Sequence, residues 1–270
     1  MIALREAFDV AAFGGKAVQL GEALRAGLPV PDGFALSARW VDRVVSGDET
    51  ALEELRGLLP ELRQHVAVRS SAVGEDSAGA SFAGQHATCL HIEPAVDAIL
   101  AAVRHVWESG RTDAARAYRQ RLGVEGEPQV GIVVQRMVES TAAGVLFSRD
   151  PVSGEDVRVI EAAWGLGEVV VAGLVTPDRF RVNRSGTVIE RTPGYKDFLI
   201  RRSAGGGTEE IALDNDRAEA LCLDDAQLLA LHRLSDRCEA VYGGEQDLEF
   251  AFAEGDLFLL QRRPITAARR

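Results

Sequence analysis

The sequence has few cysteines, and their spacing excludes two classes of small cross-linked domain. Cys89, Cys222 and Cys238 are its three cysteines, and no two of them form a Cys-x-x-Cys pair. A disulfide framework needs many paired cysteines, and a zinc knuckle needs thiolates at short fixed spacings. Neither is indicated, so we predict that the three thiols are small buried side chains.

Positive charge is also scarce. The chain has 30 Lys and Arg residues against 41 Asp and Glu residues, which gives a formal net charge of -11 at pH 7. Nucleic acids and acidic lipid surfaces bind basic proteins, so neither is expected as a partner. Any site for phosphate must therefore be a local concentration of Arg, Lys and metal.

Long apolar runs, repeats and linkers are absent as well. No uninterrupted apolar run reaches membrane-spanning length, and the first residues, MIALREAFDV, carry charges where a signal peptide has its apolar core. There is no internal repeat or low-complexity segment. With 46% hydrophobic residues, the chain can bury a large core. We expect a cytoplasmic globular protein of one large domain or two lobes.

Local patterns predict a mixture of helices and strands. Apolar residues at helical spacing indicate helices over 94–107, 113–122 and 224–242, with Gly243 ending the last one. One brief helical segment is expected in 42–62. Short β-branched runs bounded by Gly, Pro and Ser indicate strands in VGIVVQRMV, AGVLFSRDP, VRVIEAAW and KDFLIRR.

A Gly-Gly-Lys turn opens the first predicted helix. Residues 12–37, AFGGKAVQLGEALRAGLPVPDGFALS, fit a loop, a helix and a strand in order, with Gly27 ending the helix. The turn puts Lys16 at the helix start, where free N–H groups favour a phosphate. It is not a Walker A loop, because Ala17 stands where Ser or Thr would hold magnesium. Taken alone, the turn also fits a loop with a solvated lysine.

The stretch VAVRSSAVGEDSAGASFAGQHAT, residues 66–88, joins an apolar run to a glycine-rich segment. Val66 to Val68 is predicted to be a buried strand with Arg69 at its carboxyl end, the edge where open α/β sheets place ligands. The following Gly and Ala residues allow the backbone to approach an anion closely. This segment is therefore a second candidate for contact with phosphate.

Near the end of the sequence, two pairs of polar residues are predicted to face each other across a hairpin. Asp247 and Glu249 are two apart in DLEFAF, and Gln261 and Arg263 are two apart in LFLLQRR. A Mg²⁺ ion with a polyphosphate would satisfy all four side chains. A salt bridge between Glu249 and Arg263 explains the pattern equally well.

Taken together, these segments resemble a known family. GGKAVQLGEALRAGLPVPDGF, the 66–88 stretch, GIVVQRMV, GVLFSRDPVSG, AAWGLGEVVVAGLVTPDRF and DLEFAFAEGDLFLLQRRPIT are similar to the ATP-binding domain of phosphoenolpyruvate synthase, pyruvate phosphate dikinase and rifampin phosphotransferase. The resemblance runs from about residue 12 to about residue 266. It implies an α+β ATP-grasp fold, with lobes at 1–137 and 138–270 gripping ATP between them.

The resemblance also implies roles for individual residues. The residues after Arg69 would form a lid over the triphosphate, to which Gly84 and Thr88 belong, and Gln135 would lie near the adenosine. Glu249 and Gln261 are the implied Mg²⁺ ligands. The full implied set for ATP and Mg²⁺ comprises Lys16, Arg69, Gly84, Thr88, Gln135, Asp247, Glu249, Gln261 and Arg263, with Lys16, Arg69 and Arg263 acting on the transferred phosphate.

In this family, the ATP-binding domain passes a phosphoryl group to a histidine on a separate swivelling domain. The five histidines lie in strand, loop or helix settings unlike that of the family's carrier histidine, so each is predicted to be a structural or surface residue. The resemblance therefore implies the ATP-binding domain or subunit of a dikinase-type phosphotransferase, with the carrier on another domain or partner and an unknown small-molecule acceptor. Two alternatives stay open: a self-contained ATP-grasp kinase or ligase acting on a small molecule, and a nucleotide-binding module without catalysis.

Overall fold

The computed structural model describes residues 1–62, 64–72, 87–113 and 128–265. The chain divides into two compact units. Unit 1 comprises Met1–Arg25, Pro31–Met137 and Ala204–Gly207, and unit 2 comprises Ala26–Val30, Val138–Ser203 and Thr208–Arg270. Both combine helices with antiparallel sheets, which confirms the α+β class. No helix in the described part is long and apolar enough to cross a membrane.

Unit 1 is built on a five-stranded sheet of order β1-β2-β5-β3-β4, in which each neighbouring pair is antiparallel. Its strands are β1 (Ile2–Ala3), β2 (Gly33–Leu36), β3 (Val66–Ala72), β4 (Thr88–Ile92) and β5 (Val130–Arg136). Its described helices are α1 (Val10–Phe13), α2 (Gly15–Arg25), α3 (Ala38–Val45), α4 (Glu49–Leu58) and α5 (Val96–Ser109). The helix predicted at 113–122 lies, apart from its first residue, outside the described residues.

Helices α3, α4 and α5 cover one face of this sheet. Ser37 caps α3 by accepting a hydrogen bond from the Trp40 N–H at 3.3 Å, and Asp48 caps α4 by accepting one from the Ala51 N–H at 2.9 Å. Their apolar sides form one buried cluster with alternate residues of β3 and β5, including Val68 and Ile132. The prediction of one brief helical segment in 42–62 was wrong, because Asp48 starts a second helix there.

Unit 2 is built on a six-stranded antiparallel sheet of order β13-β12-β6-β7-β8-β9. These strands are β6 (Ala142–Phe147), β7 (Arg158–Trp164), β8 (Asp178–Val182), β9 (Val188–Thr192), β12 (Gln246–Ala253) and β13 (Asp256–Pro264). A separate ribbon pairs β10 (Phe198–Arg202) with β11 (Thr208–Ala212). The described helices are α6 (Glu168–Val171), α7 (Asn215–Glu219) and α8 (Asp225–Tyr242).

Helix α8 begins and ends where the sequence predicts. Asp224 and Gln227 form a reciprocal capping box at its start, and Gly243, with φ of 69°, ends it. Helix α8 is tied to strand β7 by Arg158, whose buried guanidinium contacts Asp236 and lies 3.8 Å from Glu239. The charged groups that hold α8 are therefore partly buried.

A second ion pair in unit 2 is fully buried. Lys196 Nζ lies 2.5 Å from Asp178 Oδ1, and neither side chain is exposed. The same carboxylate accepts hydrogen bonds from the Gly194 N–H at 2.8 Å and the Cys222 N–H at 2.7 Å. One charged group of β8 thus anchors two loops, and both of its oxygens have donors.

The predicted burial of the cysteines holds for two of the three. Cys222 and Cys238 are buried, whereas Cys89 on β4 is partly exposed. Burial raises the pKa of the Cys238 thiol to about 12 and also raises the pKa of Cys89 above its usual value. A thiol with a raised pKa is a poor nucleophile near neutral pH.

Candidate functional site

Three of the predicted site residues share one face of the sheet in unit 1. Arg69 on β3 is paired with Thr88 on β4 and with Val133 on β5, and Gln135 is the next residue of β5 on the same face. Side chains alternate along a strand, so this is the face opposite the helices α3 to α5. Directly paired residues have Cβ atoms about 4.5 to 5.5 Å apart. The sheet therefore brings Arg69, Thr88 and Gln135 together.

Three details of the sequence interpretation were wrong here. Arg69 lies in the middle of β3, not at its end, because Ser70 to Ala72 continue the ladder opposite Val130 to Ile132. The sheet is also antiparallel, so the rule for the carboxyl ends of parallel strands does not apply. Thr88 is the first residue of β4 and not part of a loop. Gly84 lies outside the described residues.

Lys16 is held against the same strand. It is the second residue of α2, as predicted, and its side chain is buried with 6% exposure. Its Nζ donates a hydrogen bond to the Ser70 carbonyl oxygen at 2.9 Å. The preceding turn lies close to the sheet, because a Cβ on Gly14 would come within 1.8 Å of the Ser71 oxygen. Only glycine fits at that position, which also has φ of +81°.

Gln135 is buried near the end of β5. Its Nε2 donates to the Pro31 carbonyl oxygen at 2.9 Å, and its exposed fraction is 2%. This hydrogen bond fixes the amide in unit 1. Its predicted position near adenosine stays a prediction.

The hairpin in unit 2 has the arrangement that alternation predicts. Asp247 of β12 is paired with Arg263 of β13, and Glu249 is paired with Gln261. All four side chains share one face of the six-stranded sheet. Gln261 is buried, while Asp247, Glu249 and Arg263 are partly exposed. The predicted facing of the two polar pairs is confirmed.

A β-bulge sets this register. Glu249 is opposite Gln261, whereas the next residue, Phe250, is opposite Leu259, so Leu260 is an extra residue in β13. Leu260 packs beside a buried apolar cluster of Val138, Ala143 and Ala251, together with Ala253 and Phe258. The face that carries the polar pairs therefore has an apolar end next to them.

Both interpretations of the hairpin residues keep support in the structure. Arg263 Nη2 lies 3.5 Å from Glu249 Oε1, with 30% and 21% of the two side chains exposed. The distance is long for a charge-assisted hydrogen bond, which measures about 2.7 to 2.9 Å. The ion pair is therefore present but loose, and such a pair contributes little to stability.

Glu161 is a polar residue on this face that the sequence interpretation did not single out. It lies on β7, and Val145 of β6 pairs with both Glu161 and Glu249. The strand VRVIEAAW is otherwise apolar after its arginine, so a lone acid in it was the available signal. Arg179 of β8 pairs with Glu161, and its Nη2 lies 3.6 Å from Asp150 Oδ2.

Asp150, the partner of Arg179, is a buried carboxyl group whose pKa is shifted. Burial acts to raise its pKa, but hydrogen bonds from the Ser153 and Val152 N–H groups and the charge of Arg179 hold the pKa below its usual value. Asp150 therefore stays ionised and fixes Arg179.

The donor set on the hairpin fits magnesium better than zinc. A carboxylate and an amide oxygen, from Glu249 and Gln261, are hard ligands of the kind Mg²⁺ takes. Among the described residues there is no group of three or more His, Cys, Asp or Glu side chains placed to hold a metal ion. Mg²⁺ commonly binds through one or two protein oxygens and completes its coordination with substrate phosphates and water.

A pocket of about 430 Å³ in unit 1 is lined by other residues. Its lining includes the charged residues Arg5, Asp32, Glu61 and Arg136, and none of the predicted site residues. The sheet face with Arg69 and Gln135 is thus distinct from this pocket.

Comparison with known proteins identifies the family of the chain. Residues 49–270 match the family described as "Pyruvate phosphate dikinase, AMP/ATP-binding domain". The match covers most of the chain, and the chain belongs to this family. It is an ATP-binding domain of the dikinase type.

Curated relatives also cover the part before residue 49. A protein named rifampicin phosphotransferase from Streptomyces sviceus is 38% identical over 96% of this chain and 34% of its own length. One named probable phosphoenolpyruvate synthase from Archaeoglobus fulgidus is 35% identical over 97% and 41%. An uncharacterized phosphotransferase, YvkC, from Bacillus subtilis is 37% identical over 94% and 33%. The chain thus spans about a third to two fifths of the length of these relatives.

Proposed function

We propose that the chain binds MgATP as an ATP-grasp domain, with units 1 and 2 as its two lobes, predicted at 1–137 and 138–270. The observation that carries the proposal is the hairpin of β12 and β13, in which Glu249 faces Gln261 and Asp247 faces Arg263. It lies in a chain that belongs to an ATP-binding family. Acidic residues beside an arginine on one sheet face suit a metal and a polyphosphate together.

In unit 2, Glu249 and Gln261 would hold Mg²⁺, with Asp247 beside them. When bound, the ion would neutralise charge on the phosphate oxygens. Arg263 would exchange its loose contact with Glu249 for a contact with a phosphate oxygen.

In unit 1, Lys16 and Arg69 would bind phosphate, and Gln135 and Thr88 would contact the nucleotide from the same sheet face. Gly84 is proposed for the lid over the triphosphate. Phosphoryl transfer depends mainly on positioning and on neutralising negative charge, so this set needs no protein nucleophile. In this proposal, unit 1 would supply the cations and unit 2 would supply the oxygen ligands.

We further propose that the phosphoryl group passes to a histidine on another domain or partner, and from there to a small-molecule acceptor. Relatives named phosphoenolpyruvate synthase and rifampicin phosphotransferase support a phosphotransferase of this type. Their different names support an acceptor that is recognised outside the ATP-binding part.

The test is a labelling experiment with γ- and β-labelled ATP. The chain is incubated alone, and then with a separately prepared histidine-bearing domain from a relative. Calorimetry in the same buffer measures MgATP binding. We expect MgATP binding, weak hydrolysis alone, and an acid-labile phosphohistidine on the added domain only.

Two results would contradict the proposal in different ways. Rapid phosphorylation of a small acceptor by the chain alone would favour a self-contained kinase or ligase. MgATP binding without label transfer to any histidine domain would favour a binding module.

A further inference from the structure

Ser71 is a fully buried serine in the strand that carries Arg69. Its exposed fraction is 0%, and it lies on the same face of β3 as Arg69, two residues further along. Its Oγ accepts a hydrogen bond from the Ala17 N–H at 2.9 Å. Ser71 therefore connects the strand to the first turn of α2, although 54 residues separate the two in sequence.

This hydrogen bond caps the helix from a distant strand. The N–H groups in the first turn of a helix have no partner within the helix, and a serine hydroxyl commonly satisfies one of them. Here the cap comes from β3 and not from the residue before the helix. Because Ala17 directly follows Lys16, the bond holds the backbone beside the lysine.

Two glycines let the turn reach Ser71. A Cβ on Gly14 would lie 1.8 Å from the Ser71 carbonyl oxygen, and one on Gly131 would lie 2.5 Å from the Phe13 oxygen. The turn therefore rests directly on the backbone of β3 and β5. Lys16 Nζ then lies 2.9 Å from the Ser70 oxygen, alongside the strand that carries Arg69.

We propose that Ser71 is a positioning residue, whose buried hydroxyl fixes the start of α2 so that Lys16 meets the phosphates of the nucleotide. The inference rests on the proposed function, because it concerns the lysine of that site. Ser71 does not touch the ligand; it acts through Ala17 and the turn before it. It gives the second serine of the sequence VAVRSSA a role.

The test compares a ligand with phosphates and a ligand without them. The dissociation constants of MgATP and of adenosine are measured for the full chain and for Ser71→Ala. Adenosine has no phosphate for Lys16 to bind, so its affinity should stay the same. We expect MgATP to bind roughly three- to tenfold more weakly, as the loss of one hydrogen bond predicts.

Ser37→Ala is the matched control. It removes the same hydroxyl from another helix cap in unit 1, the cap of α3, which is on the opposite side of the sheet. We expect it to lower the melting temperature and to leave the ratio of the two dissociation constants unchanged. A purely structural role of Ser71 would make both variants behave alike.

A double-mutant cycle tests whether Ser71 acts through the lysine. In the Lys16→Ala background, Ser71→Ala should cause no further loss of MgATP affinity. An equal loss in both backgrounds would overturn the inference. If Ser71→Ala does not fold, Ser71→Cys replaces it, since sulfur nearly preserves the volume and is a weak acceptor.

The two dissociation constants distinguish a failure of this inference from a failure of the proposed function. If the wild-type chain does not bind MgATP more tightly than adenosine, the phosphate site itself is wrong and both fall. If the wild-type chain prefers MgATP and Ser71→Ala keeps the same ratio, only the role of Ser71 is wrong.

Discussion

The chain has two lysines, Lys16 in unit 1 and Lys196 in unit 2, and both are buried. Lys196 is fully enclosed and paired with a carboxylate that holds two loops. Lys16 retains 6% exposure, donates to a backbone carbonyl, and lies along the strand that carries Arg69. Burial alone therefore does not distinguish a structural cation from a candidate ligand-binding one. The two lysines are distinguished by the group that each contacts and by the side chains on the neighbouring sheet face.

The largest expected effect comes from Lys196→Met, which breaks the enclosed pair. It leaves the Asp178 charge buried without its cation, and such a loss typically costs about 3 to 5 kcal/mol of unfolding free energy. Urea unfolding measures it. Arg201→Met, at an ion pair whose arginine is 60% exposed, is the control and should change stability little. A small loss in Lys196→Met would contradict the structural role of this lysine.

Lys16→Ala is the complementary test. Losing a charge-assisted contact to phosphate should weaken MgATP binding by about 1.5 to 3 kcal/mol, roughly ten- to a hundredfold. Calorimetry measures it, with Lys196→Met as the contrasting variant if that variant stays folded. An unchanged affinity would exclude Lys16 from the phosphate site.

The same contrast applies to two carboxylates: the Asp178 side chain is fully buried, whereas 21% of the Glu249 side chain is exposed. Glu249→Gln removes a charge from a loose, partly exposed pair, so the unfolding free energy should change by less than about 1 kcal/mol. If Glu249 binds Mg²⁺, the dependence of nucleotide binding on magnesium should weaken. A magnesium titration and a melting curve decide. Lower stability with an unchanged titration would mean that Glu249 serves the salt bridge alone.

His232 on α8 is expected to show the smallest effect, and only in acid. Burial, with the charges of Arg158 and Arg184, holds the pKa of His232 below its usual value. The imidazole of His232 therefore binds a proton more readily in the unfolded chain than in the folded chain. Stability should be fully present above about pH 6.5 and should fall as the pH drops from there towards the lowered pKa, by at most about 1.4 kcal/mol per unit.

Unfolding free energies at several pH values between 7.5 and 5 test this. His232→Gln should remove part of the slope, whereas His105→Gln, at an exposed position on α5, should leave it unchanged. Equal slopes in the wild type and in His232→Gln would show that other groups carry the pH dependence.

Elements with local signals could be predicted from the sequence. The helix predicted over 224–242, with Gly243 ending it, is α8, and alternation in DLEFAF and LFLLQRR predicted the facing pairs. These signals depend on neighbours in sequence, which a single chain displays.

Features that depend on distant contacts could not be predicted. Strand β3 continues through two serines because Ser71 pairs with Gly131 and caps α2, and neither partner is near it in sequence. Glu161 shares a sheet face with Glu249 because of two strand registers, that of β6 with β7 and that of β6 with β12. Local propensity does not encode such pairings.

The extra residue at Leu260 makes the hairpin unequally sensitive to deletions. With Leu260 deleted, a continuous ladder would keep Phe250 opposite Leu259 and Glu249 opposite Gln261, so both polar pairs would stay on their face. With Arg262 deleted instead, Gln261 and Arg263 would be neighbours, and their side chains would point to opposite faces of the sheet. The loss of one codon should therefore be tolerated at Leu260 and should break up the polar face two residues later.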